Sequence, residues 1–119
     1  MIRYRVPIVI GILVVFAAVI AFLISHNSGS GGQNVTVNLS VTHADSLTPP
    51  EATIHQNDTV TINITSDTTG EVHLHGYDIP FNTVAGQVVS HTFKAVNSGK
   101  FELEWESTST HLGYLIVNP

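Results

Sequence analysis

The chain has 119 residues and a formal net charge of −5, and 43% of it is hydrophobic, which is enough for one domain once an apolar N-terminal stretch is set apart. Cysteine is absent, and this excludes disulfides, a cysteine-linked lipid anchor and every thiolate metal site. From Asn34 to Pro119 nine acidic side chains face only Lys94 and Lys100, so this part is net negative by about seven, a surface suited to cations or basic protein patches and not to nucleic acid or anionic lipid.

Residues 1–6 carry Arg3 and Arg5 and read as a short cytoplasmic N-terminus. Pro7 to Ile24 is an uninterrupted run without a charge or a polar side chain, just long enough to span a bilayer core as a transmembrane helix. Basic residues before the run, and none closely after it, orient the chain with its N-terminus inside and its C-terminal part extracytoplasmic. A secretory signal peptide has the same charge layout, but it needs small residues just past the apolar core. Here the core ends Phe22-Leu23-Ile24-Ser25-His26-Asn27, with Ser28-Gly29-Ser30 as a late candidate. The expectation is therefore a single-pass, uncleaved anchor in the cell membrane. Residues 25–33, including Ser28-Gly29-Ser30-Gly31-Gly32-Gln33, form a flexible Gly/Ser linker.

The remainder, 34–119, reads as strands and turns. Asn34 to Thr42 alternates Val35, Val37, Leu39 and Val41, and Thr59 to Ser66 alternates Val60, Ile62 and Ile64, the period of half-buried strands. Leu47-Thr48-Pro49-Pro50 cannot be an interior strand, because proline donates no ladder hydrogen bond. A short segment from Ala52 to Gln56 precedes the Asn57-Asp58 turn, and Asp67-Thr68-Thr69-Gly70 is the next turn. Val88 to Lys94 is a strand, and so is the stretch in which Phe101, Leu103 and Trp105 share a core-facing side. Leu112 to Val117 closes the domain. About seven short strands and no helical period predict an all-β, Greek-key β-sandwich preceded by one transmembrane helix.

Glu71-Val72-His73-Leu74-His75-Gly76-Tyr77-Asp78-Ile79-Pro80 carries the chemistry. Residues i and i+2 of a strand share one face, so the two imidazoles point the same way. Neutral imidazole is the commonest ligand for zinc and copper, and His111 offers a third. The bland alternative is a polar strand face. A phosphate-binding glycine loop, a nucleophile elbow and an H-E-x-x-H helix are all missing from the sequence, so no enzymatic activity is expected. His26, His43, His55 and His91 are not expected to bind metal; His91 shares parity with Val89 and Phe93 and should be partly buried unless a bulge displaces it. The N-x-T sequons at Asn34, Asn38, Asn57 and Asn63 suit an outward-facing domain, but Thr-rich strands produce them by chance.

From Asp58 to Pro119 the chain resembles the cupredoxins, and more closely the extracytoplasmic domain of cytochrome c oxidase subunit II and EfeO-type cupredoxin-like domains. The resemblance lies in Gln56-Asn57-Asp58-Thr59-Val60, the Val72 to Pro80 stretch, Ala85-Gly86, Thr92-Phe93-Lys94-Ala95, Ser98-Gly99-Lys100-Phe101 and His111-Leu112-Gly113-Tyr114-Leu115-Ile116-Val117. It implies that the family's first ligand histidine falls on His75 and the second on His111, with Tyr114 at the methionine position and Trp105 at or near the cysteine position. It also implies copper as the cofactor, with zinc as the alternative. Without cysteine, a blue-copper centre and a thiolate-bridged dinuclear centre are both excluded. What remains is an all-histidine site of His75 and His111, with His73 as an auxiliary and Tyr114, Glu104, Glu106 or water as a further donor, or else packed core in which the Trp105 indole fills the cavity. The resemblance implies copper handling or service to a neighbouring membrane oxidase or transporter; the alternative is a metal-free accessory subunit of a membrane complex.

Overall fold

The computed structural model describes residues 32–119. The expected cytoplasmic residues 1–6, the apolar run 7–24 and most of the 25–33 linker lie outside the described residues, and among the described ones no helix is long and apolar enough to cross a membrane. The described residues form nine strands: β1 (Asn34–Thr42), β2 (Ser46–Thr48), β3 (Glu51–His55), β4 (Thr59–Ser66), β5 (Gly70–Leu74), β6 (Ile79–Thr83), β7 (Val88–Lys94), β8 (Gly99–Trp105) and β9 (Thr110–Asn118), with a 3-10 turn at Glu106–Thr108. They form a four-stranded sheet, β2-β1-β4-β7, and a five-stranded sheet, β3-β9-β8-β5-β6. The chain alternates between the two sheets, as Greek-key connections require.

The alternating pattern sets the layers. Along β1 every second residue is buried, and its parallel register against β4 sets Val35 beside Val60, Val37 beside Ile62 and Leu39 beside Ile64. Their apolar row meets Val72, Leu74, Phe81, Leu103 and Leu115 from the other sheet, all without solvent exposure. Each such side chain contributes about 1.5–3 kcal/mol relative to an exposed one.

Two strands exceed the expected seven. β2 is a three-residue edge strand next to Pro49-Pro50, too short for its alternation to register in the sequence. β6 contains Pro80, tolerated because β6 is also an edge strand, where a missing N–H leaves no neighbour unsatisfied. His91, expected to be partly buried, is exposed on edge strand β7, with its ring edge-on to Phe81 at 5.0 Å.

Trp105 is 3% exposed and belongs to the core between the sheets. A Cβ at Gly70 would lie 2.3 Å from its indole, so glycine there is what lets the ring close against β5. We expect Trp105→Ala to lower the unfolding free energy by about 3–5 kcal/mol. Gly70→Ala should lower it by about 1–3 kcal/mol. Urea titration followed by circular dichroism checks both.

Candidate metal centre

β8 sends Leu103 and Trp105 into the core, so Glu102, Glu104 and the following Glu106 face the opposite way. β5 is in register with β8, with Val72 beside Trp105, His73 beside Glu104 and Leu74 beside Leu103. Val72 and Leu74 are buried, which places Glu71, His73 and His75 on the outer face together with the β8 carboxylates.

The third strand of the site needs an irregularity. His111 and Tyr114 are three apart, a spacing that a regular strand would split between its two faces. In the β8–β9 pairing Leu103 stands beside Gly113, and Glu104 beside His111. The skipped Leu112 is a bulge, and the parity change brings His111 onto the outer face that Tyr114 already shares opposite Glu102. The bulge is held from the side, since Tyr114 N–H donates to the Pro50 carbonyl at 3.0 Å. A Cβ at Gly113 would lie 2.2 Å from that same oxygen.

His75 is fixed just beyond the end of β5. Its N–H donates to the Glu102 carbonyl at 2.9 Å, extending the ladder by one step. Gly76 then turns the chain with φ 86°, and any side chain there would strike the Phe101 ring. Tyr77 packs between Phe93 and Phe101. Its hydroxyl donates to the Asn97 carbonyl at 2.5 Å and accepts from Asn97 N–H at 3.1 Å.

The His75 Nε2 atom lies 2.9 Å from Glu104 Oε1, and His111 Nδ1 lies 2.7 Å from Glu102 Oε2. Ligating atoms of His75, Glu102 and Glu104 all stand within 4.8 Å of one another; His111 is outside that group and reaches it through its contact with Glu102. The two rings are 46% and 48% exposed, open to an ion arriving from solvent. Tyr114 contributes a ring, tilted by 50° against the His111 ring with centroids 4.7 Å apart and with Lys100 Nζ 4.1 Å from its centroid. His73 stays close to His75, ring centroids 4.7 Å apart. Its nitrogens face other partners: Nε2 is 3.0 Å from Asp78 Oδ1, and Nδ1 is 3.6 Å from Glu71 and 3.8 Å from Glu106.

The structure thus joins His75 and His111 through β8 carboxylates and places His73 in an adjoining group. Trp105 packs into the core on the inner side of the strand that carries Glu104 outward to His75. Glu102 went unrecognised in the sequence. The same alternation that makes Phe101, Leu103 and Trp105 an inner row makes Lys100, Glu102, Glu104 and Glu106 an outer one. The donor set of imidazole nitrogen and carboxylate oxygen fits Cu(II) or Zn(II) and lacks the soft sulfur ligands that select Cu(I).

No protein-family model and no curated protein matches the sequence. Solved structures do match. A copper binding protein in its apo form superposes with TM-score 0.62 at 13% identity, over 76% of this chain and 93% of that one. A chain from a heme-copper terminal oxidase dimer gives 0.60 at 16% identity, over 98% of each chain. The metal binding domain of the Streptococcus pneumoniae Cu(I)-exporting P-type ATPase CopA, solved with Cu(I), gives 0.58 at 12% identity, over 74% of this chain and 100% of that domain.

The hydrogen bond to Glu104 raises the His75 pKa above the ordinary imidazole value; burial opposes the shift, and the charges of Glu104, Glu102 and Glu106 add to it. Because the folded value is the higher one, the pair stabilises the fold fully below the unfolded pKa, and that contribution is lost as pH rises through the folded pKa. A histidine-resolved NMR titration should give His75 a midpoint above the ordinary value, falling back toward it in Glu104→Gln. An unchanged midpoint in that variant would contradict the assignment. The fold that places these residues is an all-β, two-sheet sandwich of the cupredoxin type.

Proposed function

We propose that this domain binds Cu(II) on the outer face of its five-stranded sheet, through His75 and His111 with Glu102 and Glu104, and that the apolar run Pro7 to Ile24 anchors it to a membrane with the domain outside. The observation that carries the reading is that Glu102 contacts His111 at 2.7 Å and also belongs to the cluster of His75, Glu102 and Glu104, whose ligating atoms lie within 4.8 Å of one another. Copper is favoured over zinc because proteins of the same fold bind copper. Nitrogen and oxygen donors select the cupric ion. When bound, such an ion supplies a one-electron couple or a cargo for transfer.

The chain's own groups perform the rest. Glu104 and Glu102 orient the rings, and an ion binds imidazole only in its deprotonated form. Ion binding at these histidines therefore releases protons and weakens as pH falls. Tyr114 supports the back of His111 and takes no ligand role in this reading. The function that follows is non-enzymatic copper handling beside a membrane oxidase or transporter. A second reading, a metal-free accessory subunit, draws on the similarity to a heme-copper terminal oxidase chain over 98% of both chains.

Titration of the full chain with Cu(II) against a competing chelator should show one tight first equivalent. His75→Ala and His111→Ala should each weaken it by no less than the loss of an outer partner does, about 10–100-fold. Absence of tight binding, or wild-type affinity in both variants, overturns the proposal. The metal-free reading instead requires copurification with a membrane partner to survive chelator and loss of both histidines.

A further inference from the structure

The proposed copper site leaves a second group on the same face unused. Glu71 and His73 lie two apart on β5, Glu106 opens the 3-10 turn after β8, and Asp78 sits in the β5–β6 connection with φ 56°. Ligating atoms of Glu71, His73 and Glu106 stand within 4.8 Å of one another.

The distances around His73 differ between its two nitrogens. Nε2 is in close contact with the Asp78 carboxylate at 3.0 Å. Nδ1 faces Glu71 at 3.6 Å and Glu106 at 3.8 Å, too far for hydrogen bonds to either. A neutral imidazole carries one N–H. The Nδ1 edge of the ring faces two carboxylates that it does not hydrogen-bond, an arrangement that a cation between them relieves. Donors at zinc–nitrogen and zinc–oxygen distances of about 2.0–2.2 Å in tetrahedral geometry are themselves about 3.4 Å apart, close to the spacing seen here. A carboxylate on the far nitrogen is also the partner that holds a zinc-ligating histidine in position.

The geometry points to a second cation site, in which His73 Nδ1, Glu71 and Glu106 bind Zn(II) with water completing the shell and Asp78 positions the imidazole. One imidazole with two carboxylates is a harder donor set than that at His75 and His111. The site uses neither of those histidines, so it does not depend on the copper reading. His73 is 18% exposed, and Glu106 and Asp78 are 51% and 90% exposed, so glutamine or asparagine at the carboxylate positions leaves the core untouched.

The test is equilibrium dialysis of the full chain against Zn(II), with bound metal counted by mass spectrometry. The double variant Glu71→Gln/Glu106→Gln should lose one zinc equivalent and keep its tight Cu(II) binding. Asp78→Asn should retain the equivalent with affinity lowered about 10–100-fold. His75→Ala/His111→Ala should still bind zinc. Zinc binding unchanged in Glu71→Gln/Glu106→Gln overturns the inference, and so does loss of all zinc from His75→Ala/His111→Ala, which would place the metal in one shared site. If copper binding survives His75→Ala/His111→Ala while zinc is lost from the glutamine variant, the copper reading fails and the second site stands.

Discussion

The two faces of β8 carry opposite chemistries, and the rest of the domain is arranged around that division. Leu103 and Trp105 enter the core and fasten the strand to the opposing sheet, and Glu102 and Glu104 are thereby forced outward at strand spacing. A carboxylate on a flexible loop would wander; on a central strand flanked by β5 and β9, its backbone is fixed by ladder bonds on both sides. The cost of concentrating like charges on one strand is offset where each carboxylate finds an imidazole on a neighbouring strand.

The imidazoles reach those carboxylates through two local departures from regular structure. At the end of β5, Gly76 turns the chain beneath the Phe101 ring, and Tyr77 fastens the turn to Asn97. On β9, the bulge at Leu112 reverses parity and brings His111 outward. Both devices are buried or hydrogen-bonded on the side away from the site, so the imidazoles stay open while their backbones are held. The histidine and carboxylate face built in this way lies on the outer surface of the sheet, and Trp105 packs into the hydrophobic cluster between the sheets.

Much of this was legible in the sequence, for a physical reason. Strands with one buried face repeat with period two, and Asn34–Thr42, Thr59–Ser66 and Val88–Lys94 appear in the structure with the boundaries their alternation implied. The shared side of His73 and His75 follows from the same rule. The edge strands β2 and β6 escaped because one has three residues and the other contains a proline, so neither displays the period. The outward side of His111 was not readable from periodicity, since a bulge is decided by tertiary packing, here the pressure of Pro50 on Gly113. The division of labour between His73 and His75 was likewise hidden. It depends on Asp78, itself a left-handed turn residue, whose carboxylate lies against the His73 ring.

The central claim is that His75 and His111 jointly hold a cupric ion without sulfur. The most direct measurement is the electron paramagnetic resonance spectrum of the Cu(II)-loaded full chain, taken with its visible absorption. The account predicts nitrogen couplings from two imidazoles, one of which is lost in His75→Ala and one in His111→Ala, and no intense copper–thiolate band. A Cu(II) spectrum without imidazole nitrogen coupling, or one that neither substitution alters, would contradict it.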